Sequence, residues 1–189
     1  MDQLAALEST VRQDILDVVA ATGAVSIADV AEQLGRAPAS LYFHIDKLVR
    51  VGLLLRAGER RVYRRLEALY ATPARLMRLA VKPLTRERRR ALRRIVLASV
   101  RATMRDLEYG LERPDVELTG PERDLYSSRL EGWLTAEQRR QVNRHIAEIE
   151  SILAASPPRG GARRCAVFLS LAPRPVRKDA HRPASPGDI

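Results

Sequence analysis

The sequence predicts a mainly α protein with a small β component, and three features predict it. Apolar residues recur at three- and four-residue steps in five stretches, the spacing of one helix face. Start and stop residues bracket the early stretches, as Ser26 with Asp29 precede one and Gly35 follows it. After Gly52 the helical step is lost, and two short apolar runs flank a glycine-containing turn.

Leu4, Leu7, Val11, Ile15 and Val18 mark the first helical face, with Thr10 and Gln13 spaced as a capping box and Gly23 as a stop. Ile27, Val30, Ala31 and Leu34 mark the second. Pro38 suits a first helical position, so a third helix is expected over residues 38–51, stopped by Gly52. Residues 53–56 and 61–66 then pair as a hairpin around a turn at 57–60. Helix, helix, tight turn, helix, hairpin is the order of a winged helix-turn-helix.

A short helix is expected over residues 73–81 and a long one over 85–112, the latter with Leu92, Ile95, Val96, Val100, Leu107 and Leu111 on one side. Residues 113–122 read as a loop, and 125–134 are ambiguous, with a strand ending at Trp133 as one reading. Thr135 and Gln138 open a last helix whose seam is Val142, Ile146, Ile149 and Leu153. Residues 165–171 read as a strand in which Cys165 packs as a small hydrophobe. The expected organisation is a winged helix-turn-helix over 1–70, a helical dimerisation and effector domain with a short sheet over 71–173, and a disordered tail over 174–189.

Composition narrows the function. The 189 residues are 46% hydrophobic, which argues for a folded chain. One cysteine excludes an internal disulfide and any multi-thiolate metal site. No apolar run approaches the roughly 20 residues that span a bilayer. No basic leader with an apolar stretch opens the chain, so a cytoplasmic protein without a membrane partner is expected. Nucleophile-elbow, Walker and dinucleotide motifs are lacking, and His44, His145 and His181 are isolated from one another. Neither an enzyme nor a cofactor is expected.

The net charge is +10, and all but three of the 33 cations are arginines, which suit bidentate phosphate recognition. The charge lies in blocks: residues 52–66 hold five cations and one anion, and 75–105 hold eleven and one. Residues 106–156 hold eleven anions against six cations. Such patterning makes a directed field. The densest run, residues 86–94, reads first as the polar side of an amphipathic helix.

Residues 9–66 resemble the DNA-binding domain of ArsR-type bacterial transcriptional regulators. The resemblance is carried by Val11 to Leu16, by Ile27 to Gly35 and by Leu41 to Leu54, with the His44, Leu48, Gly52 and Leu53 spacing as its most specific part. MarR- and PadR-type winged helices share much of this pattern. Metal-sensing members carry a cysteine-rich box that this chain lacks, so thiolate metal sensing is disfavoured.

A DNA-reading helix must stand out from its domain with polar side chains facing the major groove. At about 100° per residue, Leu41, Ile45, Leu48 and Gly52 form the inward stripe. Ser40, Tyr42, Phe43 and Lys47 are then the expected groove contacts, with His44 reaching a phosphate and Arg50 a further DNA contact that also offsets Asp46, four residues before it. Phe43 contacts a thymine methyl or packs on a neighbouring element. Arg56, Arg60 and Arg61 sit at or near the expected hairpin tip, as phosphate contacts or as a solvated turn.

The expected function is sequence-specific binding of double-stranded DNA by a homodimer reading an inverted repeat, with helix 38–51 in the major groove and hairpin 53–66 as wing. A small-molecule effector of unread class is allowed for. The alternative is a protein-interaction adaptor whose winged helix no longer reads DNA, favoured by the Tyr42-Phe43 pair and Asp46 on the presumed groove face.

Overall fold

The helix Thr10–Thr22 (α2) buries Ile15, Leu16, Val18 and Val19, and the N-terminal half assembles around it. The computed structural model describes residues 2–77, 82–156 and 163–174. In front of α2 lies a separate short helix, Gln3–Ala6 (α1), so the face expected to be continuous from Leu4 to Val18 is broken. The cause is Arg12, which is buried and donates from its guanidinium to the carbonyls of Ala6 and Ala5, ending α1. Gln13 donates to the Leu7 carbonyl at 2.6 Å, so it is not free to cap. The expected Thr10–Gln13 capping box does not form, and Ser9 is the N-cap instead.

The second box forms as expected. In the strand Val25–Ser26 (β1), the Ser26 N–H donates to Asp29 Oδ2 at 2.9 Å, and the Asp29 N–H donates to Ser26 Oγ at 3.3 Å. This opens the helix Ile27–Gln33 (α3). A 3₁₀ turn, Pro38–Ser40, leads into the helix Tyr42–Arg50 (α4), so the helix expected over 38–51 is tighter in its first turn. Gly52 ends it with φ +71°, a left-handed conformation that a Cβ disfavours, and Leu53 N–H returns to the Leu48 carbonyl at 2.9 Å.

The hairpin is longer than expected and its turn lies elsewhere. Leu55–Val62 (β2) pairs with Arg65–Ala71 (β3), and β1 adds to the far side of β3, giving an antiparallel sheet in the order β1-β3-β2. Arg56 faces Tyr70 and Glu59 faces Ala68, so Ala57 and Gly58 share one partner position as a bulge. Gly58, at φ +109°, serves that bulge and not the turn. The turn falls at Tyr63 and Arg64, between the paired Val62 and Arg65, and Tyr63 takes φ +52° without being glycine.

The long helix Arg86–Glu112 (α5) packs on α1 and α2 through the buried Ala91 and Ala98, with Ile95 against the main core. Its arginines are tied to acidic residues of the N-terminal half: Arg94 to Glu8, Arg105 to Asp14 at 3.4 Å and Arg88 to Asp2 at 3.9 Å. The basic block is therefore balanced in part by the N-terminal acids. The helix Ala136–Ala154 (α6) begins with the expected Thr135–Gln138 box and buries none of its residues.

Beyond Ala71 the described residues contain no strand. Residues 125–134 and 165–171 are unpaired, so the short sheet expected in the second half is replaced by non-ladder chain, and Cys165 is exposed. The reason is visible in the sequence: Val167, Phe168, Leu169 and Leu171 are apolar without alternation, and no second segment pairs with them. Residues 72–77 are not helical, whereas 78–81 and the tail after Arg174 lie outside the described residues.

On α2, the Asp17 carboxyl is pushed up to about 6, first by the protein surrounding it and then by Asp14 and Asp106, with Arg164 opposing. Its side chain still reaches solvent, which screens part of the effect. A raised carboxyl pKa stabilises the fold fully below its unfolded value and loses that contribution as pH rises to about 6. Asp17→Asn is therefore expected to raise the melting temperature by about 2 °C at neutral pH and by nothing near pH 4. Thermal denaturation of the two proteins across this range checks it, and taking the difference cancels the other titrating groups.

Candidate nucleic-acid interface

α4 is mounted on its inner side by Leu41, Ile45 and Leu48, each no more than 2% exposed, within one core that includes α2, α3 and the start of the wing. Gln3 Nε2 donates to the Val51 carbonyl at 3.0 Å, tying α1 to the helix end. A helix tied at its C-terminal end and packed along one stripe keeps its outer side chains in register.

The outer face carries most of the residues expected there. Tyr42 and Phe43 are each 61% exposed in the first turn. Lys47, one turn on, sets its ammonium 4.2 Å from the centre of the Phe43 ring. Arg50 closes on Asp46 at 2.5 Å, which removes the bare carboxylate from the face. Ser40 is exposed, but its hydroxyl donates to the Ala37 carbonyl at 2.7 Å and steadies the 3₁₀ turn.

His44 is different. It is half-buried, its Nδ1 is buried without a hydrogen-bond partner, and its ring meets Phe43 edge-on at 5.8 Å. Burial lowers its pKa, aided by the cations of Arg12, Lys47 and Arg36, which favours the uncharged imidazole.

The wing residues divide. Arg56 is exposed at the root of β2 and lines a groove of about 330 Å³ with Tyr42, Asp46 and Tyr70, which brings the wing root beside α4. Arg61 is exposed further out. Arg60 does not lie at the hairpin tip; it is within β2, where its Nη2 meets Asp29 Oδ1 at 3.0 Å, Glu67 Oε2 at 3.1 Å and Ser26 Oγ at 3.4 Å. These bonds raise the Arg60 pKa. They also outweigh the burial of Asp29, whose carboxyl is held below its ordinary value by Ser26 and Arg60. Arg60 thus latches the wing to the N-terminus of α3.

The tip itself is Tyr63, 96% exposed, with Arg64 and Arg65 exposed beside it. Sequence reasoning passed over these three because the glycine at position 58 drew the turn toward itself. No local signal in residues 61–70 marks them: the run reads polar, apolar, apolar, polar, polar, and only the pairing of Val62 with Arg65 puts the turn at Tyr63 and Arg64.

Among the described residues, no group of three or more His, Cys, Asp or Glu side chains is placed to hold a metal ion, and no helix is long and apolar enough to cross a membrane. The arrangement offers an exposed helix face and an arginine-bearing hairpin as neighbours, with one groove running between them. Those are the two parts that dock on duplex DNA in winged helices.

No curated protein matches the sequence. The solved structure of RV1404 from Mycobacterium tuberculosis is similar at 19% identity, covering 84% of this chain and 86% of that one, with a TM-score of 0.27. Residues 7–56 match the family model described as a helix-turn-helix domain. The N-terminal region, with its core stripe, capping box and exposed α4, is thus a helix-turn-helix domain of the kind that DNA-binding regulators carry.

Proposed function

We propose that this protein is a non-enzymatic, cytoplasmic transcriptional regulator of ArsR type that binds double-stranded DNA as a homodimer and reads an inverted repeat. The observation that carries it is the outer face of α4 beside the arginines of the wing. α4 enters the major groove with Tyr42, Phe43 and Lys47 at the bases, while Arg56, Arg61, Arg64 and Arg65 meet phosphates. Arg60 acts through the wing's position, and Arg50 acts as the partner of Asp46.

Support for a dimer comes from the second half. Val96, Leu97, Met104 and Leu111 on α5, Ile152 and Leu153 on α6, and Leu130 and Trp133 between them are all exposed. A soluble monomer rarely leaves so much apolar surface open. Two copies joined there place two recognition helices on half-sites about 34 Å apart.

The test is selection of duplexes from a random pool by the full-length chain, with sedimentation of the complex. An inverted repeat with half-site centres one helical turn apart, bound by two copies, is expected. A single half-site bound by one copy contradicts the dimer. Failure to retain any duplex, with a protein partner captured instead, favours the adaptor.

A further inference from the structure

Phe43 lies almost opposite the buried Leu41, Ile45 and Leu48 stripe, exposed in the first turn of α4, and it is apolar. Exposure of a single phenylalanine is common on protein surfaces. Its surroundings here are not. Lys47 holds one face of the ring at 4.2 Å, His44 abuts its edge at 5.8 Å, and neither closes it off from solvent. The ring is braced in place and still open.

Residues in the N-terminal part of a recognition helix are those that meet base edges. The edges exposed in the major groove are hydrogen-bond donors and acceptors, with one exception: the C5-methyl group of thymine. An apolar ring that leads the helix into that groove would strand polar base edges without partners wherever no methyl is present. Over a thymine it covers the methyl and leaves the O4 acceptor and the adenine edge to neighbouring side chains.

We propose that Phe43 is a specificity-determining residue that packs on the C5-methyl of a thymine, so that each operator half-site carries an A·T pair at the position facing it. The inference rests on the DNA-binding role proposed above and names what that face reads. Lys47 braces the ring and presents its ammonium to the neighbouring acceptors.

The experiment uses a duplex selected by the full-length chain from a synthetic, unmethylated pool. Each thymine in it is replaced singly by deoxyuridine, which deletes only the methyl group. Wild-type affinity is expected to fall about fourfold at one thymine of each half-site, the worth of one buried methyl-sized group. Phe43→Ala is expected to bind the thymine and deoxyuridine duplexes equally, and Phe43→Leu to keep part of the difference. Phe43 is exposed, so both variants should retain the wild-type melting curve. A duplex bound tightly but indifferent to every deoxyuridine overturns the inference alone, as does discrimination that survives in Phe43→Ala. A chain that selects no duplex overturns both the inference and the DNA-binding role.

Discussion

Leu48→Ala is expected to destabilise the protein by about 3 kcal/mol and to abolish specific DNA binding near its melting transition. Leu48 is fully buried, and its carbonyl also receives the Leu53 N–H that closes the end of α4. Truncation removes most of a fully buried side chain from the one core shared by α2, α3, α4 and Leu53 and Leu54, which leaves a cavity there. Set against a total stability of about 5–15 kcal/mol, the loss is large. Urea unfolding measures it. A change under about 1 kcal/mol would mean that α4 is mounted loosely, and a loose mount is incompatible with reading bases.

Replacing Arg56, Arg61, Arg64 and Arg65 together by alanine is expected to weaken DNA binding on the order of a hundredfold at physiological salt. The logarithmic salt slope should become shallower by about 0.9 for each of the four that contacts a phosphate. All four are exposed, so the fold should not suffer. Arg60→Ala provides the contrast. Its guanidinium is engaged by Asp29 and Glu67, so its loss frees the wing without removing a phosphate contact. Affinity should drop while the slope stays unchanged. Fluorescence anisotropy over a salt series separates the two cases, and a shallower slope for Arg60→Ala would make Arg60 a direct contact.

Most of the N-terminal fold was legible because its signals are local. The Ser26–Asp29 box, the Gly52 stop and the inward stripe of α4 each follow from a few neighbouring residues, as does the Thr135–Gln138 box in the second half. Misreadings arose where a distant partner decided the outcome. Arg12 breaks the first helix by reaching back to α1, and no spacing rule reports a buried arginine serving as a cap. Gly58 fits a turn and a bulge equally well; pairing with β3 selects the bulge. Arg60 looked like any other wing arginine until α3 supplied Asp29.

The second half was harder for a different reason. Residues 165–171 are apolar enough for a strand, but a strand needs a neighbour with free backbone groups, and none of the described residues supplies one. The seam of Val142, Ile146, Ile149 and Leu153 does form one helix face, yet none of the described residues fully covers it. Of the candidate contacts, Tyr42, Phe43 and Lys47 came from periodicity alone, whereas the tip residues Tyr63, Arg64 and Arg65 required the register of the sheet.

The central claim is that the outer face of α4 lies against bases in the major groove. Placing a photoactivatable benzophenone side chain at position 42 and irradiating the complex with a selected duplex tests it most directly. Crosslinks mapped to bases within each half-site are the predicted result. Crosslinks confined to protein, or to DNA outside the half-sites, contradict it.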